Sequence, residues 1–156
     1  MHPFQLSRSI LMAVGVSVLT LSLAADARVD TIGVFNSGVS APGAAGGIPG
    51  NPTSEVLAKI HGPTLYLDGA EADFMTPVAK ANFDAINHVP IFYGSRDNAG
   101  HSATYFHSNG GEFANVAVAW LEWQLKGEKS ASAMFVGDAC TLCTNPSWET
   151  HSKNLK

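Results

Sequence analysis

PTLYLDG (residues 63–69) and VPIFYGS (residues 89–95) decide the fold of this chain. Each run concentrates aliphatic, β-branched and aromatic residues without alternating polar ones, and each stops at a turn former, Gly69 or Ser95. Strands that are apolar on both faces belong to parallel sheets covered by helices on both sides. The pattern therefore predicts strands over Thr64–Asp68 and Val89–Tyr93, and TIGVF, Thr31–Phe35, is a third of the same kind. Open α/β sheets carry their chemistry at the carboxyl ends of such strands. Among the polar residues that follow them are Asp73, after the second run, and His101, after the third.

The segments between the runs read as crossovers. SGVSAPGAAGGIPG, residues 37–50, is a Gly/Pro-rich surface loop, followed by Asn51-Pro52 as the cap and first turn of a short helix in SEVLAKI. Val78, Ala81, Ala85 and Ile86 fall at helical spacing within Pro77–Asn87. The strongest helix comes after His101: Phe113, Val116, Ala117, Trp120, Leu121 and Gln124 share one face, and Lys126-Gly127 is a good stop. At this spacing Trp120 and Trp123 are core residues rather than a ligand platform. Beyond Gly127 the sequence has little periodicity and reads as a loop-rich tail.

The amino terminus has the three-part layout of a secretory signal peptide. Arg8 precedes an apolar run of 15 residues, Ile10 to Ala24, and Ala25-Asp26-Ala27 supplies small residues two apart. That run is short of the ~20 residues of a spanning helix, so no stable membrane span is expected. Cleavage after Ala27 would leave residues 28–156 as one domain, secreted or periplasmic. With 46% hydrophobic residues such a chain can bury a core. The net charge of −4 and the scattered basic residues exclude a nucleic-acid footprint, and no GxxxxGK phosphate loop is present. Cys140 and Cys143 form a C-x-x-C that an exported chain would close as a local disulfide. The motif lacks the strand-helix setting of a thioredoxin-like site, and zinc would need ligands beyond His151, so neither a metal nor a cofactor is implied.

RVDTIGVFNSG, HGPTLYLDGAEAD, the NAGH turn, NGGEFANVAVAWLEWQLKG and CTLCTNPSW together carry a resemblance: from about Ala25 to Trp148 the chain resembles the carboxyl-terminal part of secreted α/β-hydrolases. The resemblance implies an α/β class and a partial α/β-hydrolase fold of about three parallel strands with flanking helices. That family orders its triad as Ser, then Asp or Glu, then His, with Ser on a G-x-S-x-G elbow. Asp73 matches the acid, with Asp68 and Glu71 as rivals, and His101 matches the base. His61, His88, His107 and His151 read as structural or solvated. A carboxylate and an imidazole suit this work because the carboxylate fixes the tautomer of a base that titrates near neutrality.

The nucleophile is where the chain departs from the pattern. Gly15-Val16-Ser17-Val18-Leu19 lacks the second Gly of the elbow, has no strand before it and falls in the leader, while Ser37 in NSG reads as a turn residue. The strand that would carry the elbow is thus expected to be absent. Thr31–Phe35 would then have an open edge, to be covered by a second copy or a missing segment. The sequence thus suggests a serine, carboxylic ester hydrolase that holds acid and base without a recognisable nucleophile, a truncated form whose substrate would be a small-molecule or polymeric ester. The other reading is a noncatalytic secreted binding or interaction protein built on the same remnant.

Overall fold

A computed structural model of the chain describes residues 9–14, 26–39 and 54–156. The Gly/Pro-rich loop with its Asn51-Pro52 cap, the GVSVL segment and most of the leader lie outside the described residues.

The three expected strands form, and two more join them. β1 (Ser9–Val14), β2 (Val29–Phe35), β3 (Thr64–Asp68), β4 (Ile91–Arg96) and β5 (Trp148–Lys153) make one sheet in the order β1-β2-β3-β4-β5. The first four run parallel, and β5 is antiparallel to β4. The chain is therefore an α/β protein with a mixed sheet rather than three parallel strands alone.

Helices cover both faces, as the apolar strands require. α1 (Thr76–Ala85) crosses from β3 to β4 on one face, where Ala79, Phe83 and Ile86 pack with Ile32, Val34, Tyr66, Ile91 and Tyr93. α2 (Gly111–Leu121) covers the other, packing Phe113, Val116, Ala117 and Trp120 on Phe35, Leu65, Leu67 and Phe92. It continues into a π-helical turn, Glu122–Lys126, and stops at Gly127 with φ 73°. Alternate residues of each strand serve opposite layers, so neither face can be polar. Trp120 is buried, and its indole N–H donates to Thr31 Oγ1 at 2.9 Å, satisfying the one polar atom that its burial would otherwise strand. Trp123 stacks on Phe135 at 5.7 Å; both tryptophans are core-packing residues.

Two expectations are corrected at the sheet edges. The edge of β2 is not open: β1 pairs along it, from Ile10 opposite Thr31 to Val14 opposite Phe35. The other correction is β5, which replaces part of the loop-rich tail. Its sequence WETHSK is too polar to read as a strand, and only Trp148 is buried. It is an edge strand blunted by charge. Lys153 Nζ donates to the Phe83 and Asp84 carbonyls at 2.7 and 3.1 Å, so the same lysine neutralises the carboxyl end of α1. The rest of the tail is held by the disulfide Cys140–Cys143, with an S–S distance of 2.04 Å, and by Leu142 in the core. A short helix, α3 (Lys129–Ser132), precedes it. Among the described residues no helix is long and apolar enough to cross a membrane.

Candidate active site

The register aligns the carboxyl ends of the central strands. Phe35 lies opposite Leu67 and Asp68 opposite Ser95, so the turns after β2, β3 and β4 leave the sheet side by side. The turn after β3 is built by its own polar groups. Asp68 Oδ1 accepts the Ala70 N–H at 3.1 Å, Ala70 takes φ 57°, and a single 3-10 turn, Ala70–Ala72, ends with the Asp73 N–H donating to the Ala70 carbonyl at 2.9 Å. Gly69 permits a close approach between two loops. A Cβ there would lie 2.3 Å from the Gly100 carbonyl oxygen, so only glycine lets the acid turn touch the backbone of the loop after β4. That contact brings Asp73 to His101.

Asp73 Oδ1 and His101 Nδ1 are 2.7 Å apart. The carboxylate side chain is wholly buried, whereas the imidazole is 40% exposed. Three further donors converge on Asp73: the Met75 N–H on Oδ1 at 2.9 Å, and Asn36 Nδ2 and the Gly69 N–H on Oδ2 at 2.8 and 3.4 Å. Burial pushes the carboxyl pKa up, but the bonds from Met75, Asn36, His101 and Gly69 together outweigh it and hold Asp73 below its ordinary value. An anion held in this way accepts from the imidazole, which places the ring proton on Nδ1 and leaves a lone pair on Nε2. Among the described residues nothing bonds to Nε2. The exposed Phe74 ring lies against the imidazole with centroids 4.1 Å apart. A groove of about 790 Å³ runs along the acid turn beside Asp73, Phe74, Ser95 and Lys80; it flanks the pair rather than containing His101.

The rivals are placed elsewhere. Asp68 is buried against hydroxyls, accepting from Tyr93 Oη at 2.6 Å and Ser95 Oγ at 2.5 Å, and Glu71 is exposed. His61 and His88 bond the Val29 and Ile60 carbonyls at 3.1 and 2.8 Å, His151 meets Glu149 on the surface, and His107 is exposed. Among the described residues no cluster of His, Cys, Asp and Glu is placed to hold a metal.

Sequence reasoning missed Asn36. NSG reads as a turn, and the only signal for more is an amide-bearing residue directly after an apolar strand. Ser37 beside it is buried. Ser17 lies outside the described residues; β1 itself ends at Val14, opposite Phe35, at the carboxyl end of the parallel strands. No protein-family model matches the chain, and no curated protein matches it.

Proposed function

We propose that Asp73 and His101 are the acid and base of a serine-type carboxylic ester hydrolase built on a partial α/β-hydrolase fold. The observation that carries this reading is the 2.7 Å contact between a buried, multiply bonded carboxylate and a half-exposed imidazole at the carboxyl ends of parallel strands. In such a reaction a hydroxyl attacks the ester carbonyl. His101 Nε2 takes the hydroxyl proton and returns it to the leaving alcohol, while Asp73 stabilises the imidazolium formed between these steps. The nucleophile would come after β1, and the first hydroxyl beyond that strand is Ser17. A specific observation favours the second reading, a noncatalytic exported binding protein: Leu19 stands where the elbow's second glycine belongs.

The disulfide supports an oxidising compartment. Export by cleavage after Ala27 would, however, remove β1 and uncover β2, so a secreted chain must either keep its amino terminus or pair that edge with something else. Intact-mass measurement of exported protein decides between these arrangements.

The test of the reaction is labelling of the full chain by a fluorophosphonate, together with hydrolysis of a p-nitrophenyl ester. Labelling and turnover that disappear in both Ser17→Ala and His101→Ala support the hydrolase. Folded protein that neither labels nor hydrolyses overturns it in favour of the binding protein.

A further inference from the structure

Asn36 directly succeeds β2 and takes φ 48°, in the left-handed region that asparagine enters more readily than most residues. Its backbone N–H donates to the Leu67 carbonyl at 2.8 Å, extending the β2–β3 ladder by one residue and fixing its Cα against β3. From there the buried side chain reaches three separate segments. Nδ2 donates to Asp73 Oδ2 at 2.8 Å and to the Gly100 carbonyl at 3.2 Å, and Oδ1 accepts from Tyr105 Oη at 3.2 Å. A carboxylate and a carbonyl both only accept, so chemistry alone sets the amide orientation: nitrogen faces the acid turn and the base loop, and oxygen faces Tyr105.

We infer that Asn36 is a positioning residue that ties the turn bearing Asp73 to the loop bearing His101 and, by engaging Asp73 Oδ2, turns Oδ1 toward the imidazole and the Met75 N–H. With the Gly69–Gly100 approach, this amide holds together two loops whose covalent connection runs through α1 and β4. Tyr105, on the 3-10 segment Ala103–Phe106, completes the frame. Burial, with a smaller contribution from the Asp73 charge, raises its pKa, so it remains a donor to Asn36. The purpose of this device rests on the hydrolase reading, whereas its geometry can be measured without any turnover.

The test is NMR of the labelled full chain, tracking the downfield His101 Nδ1 proton and the titration of the Asp73 carboxyl carbon. Asn36→Gly keeps the left-handed backbone at no steric cost and deletes the amide. The imidazole proton should then be lost to exchange with water, and the Asp73 midpoint should rise. Asn36→Asp keeps the shape but sets a second carboxylate beside Asp73, and should raise the midpoint further. The titratable groups facing Asp73, His101 from the loop after β4 and Tyr105 from its own segment, are present in both variants, so the change reports on position 36. An asparagine that only supported the fold would lower the urea midpoint and leave both signals at their wild-type positions, and that result overturns the inference. Should Asn36→Gly fail to fold, Asn36→Asp decides alone, and a wild-type Asp73 midpoint there overturns it too. Changed signals in a protein without esterase activity would sustain the positioning role and sink the hydrolase reading only.

Discussion

Two buried carboxylates stand five residues apart at the end of β3, and they have opposite surroundings. Asp68 closes the strand and receives two hydroxyls, Tyr93 Oη and Ser95 Oγ, from the neighbouring strand β4. Burial, and then the bond to this carboxylate, push the Tyr93 phenol far above its ordinary pKa, so the cluster stays a fixed set of donors around one acceptor. Asp73 also receives several donors, but one is an imidazole whose ring is 40% exposed and whose other nitrogen meets no partner among the described residues. A hydroxyl partner of high pKa locks a carboxylate in place. An imidazole partner has a second ring nitrogen through which a proton can be taken up or released. The same residue type thus meets fixed hydroxyls in one place and a half-exposed imidazole in the other, and only the second surroundings suit the proposed chemistry.

The largest expected effect separates the two sites by activity. If the chain hydrolyses esters, His101→Ala should lower kcat by about 10⁶-fold and Asp73→Asn by about 10⁴-fold, since members of a triad act as a unit and the orienting acid is the less costly one to lose. Stopped assays at matched folded concentration measure both. An Asp73→Asn variant retaining activity within about tenfold would break the comparison, because the imidazole would then need no oriented carboxylate.

Asp68→Ala should instead act on stability. It strands the buried Tyr93 and Ser95 hydroxyls, at about 1–3 kcal/mol each when a buried donor loses its partner. Urea unfolding should show that loss. Deleting all three polar groups, in Asp68→Ala with Tyr93→Phe and Ser95→Ala, should recover part of it, because no unpaired group then remains. A triple variant no more stable than the single one would show that Asp68 acts through the Ala70 N–H, and hence through the acid turn.

Acid should act on Asp73 with a smaller effect. The pKa of Asp73 is depressed in the folded chain, so its contribution to stability is fully present above the ordinary carboxylate range, around pKa 3.9, and is lost as pH falls through the lower folded value. The urea midpoint of the wild type should therefore fall as pH drops from about 5 toward 3. That slope should be shallower in Asp73→Asn, which has no proton to take up. Equal slopes in the two proteins would place the acid sensitivity elsewhere.

Much of this contrast was legible in the sequence, and the missing part has a physical cause. β2, β3 and β4 announce themselves because strands buried on both faces must be apolar throughout, and α2 does so because its apolar stripe has to meet the sheet. Asp73 and His101 follow such strands, but it is the resemblance to α/β-hydrolases that picks them out from the other polar residues there. β5 could not, since an edge strand with charged residues carries no alternation to detect, and its pairing is set by Trp148 and by Lys153 on the end of α1. β1 was obscured because an apolar run suits a leader and a buried strand equally well. Asn36 escaped for a different reason: its importance lies in contacts with Asp73, Gly100 and Tyr105, 37 to 69 residues away in the chain, and no local pattern encodes them.

Glu71 supplies the smallest expected effect and the control that the comparison needs. It lies between Asp68 and Asp73, on the 3-10 turn Ala70–Ala72, is acidic, and is one of the two sequence rivals to Asp73 for orienting the base. It is nevertheless exposed, so its carboxylate is solvated and screened, and a surface charge of this kind contributes within about 0.5 kcal/mol. Glu71→Ala should leave the urea midpoint within that margin, the His101 Nδ1 proton in place, and any esterase activity within about twofold, a change too small to count as loss of transition-state stabilisation. Collapse of activity in Glu71→Ala with the imidazole proton unmoved would mean that Glu71 touches the substrate along the groove beside Phe74. Loss of that proton as well would mean that the turn rearranges to bring Glu71 to the base, and the division of labour between Asp68 and Asp73 would have to be redrawn around a third carboxylate.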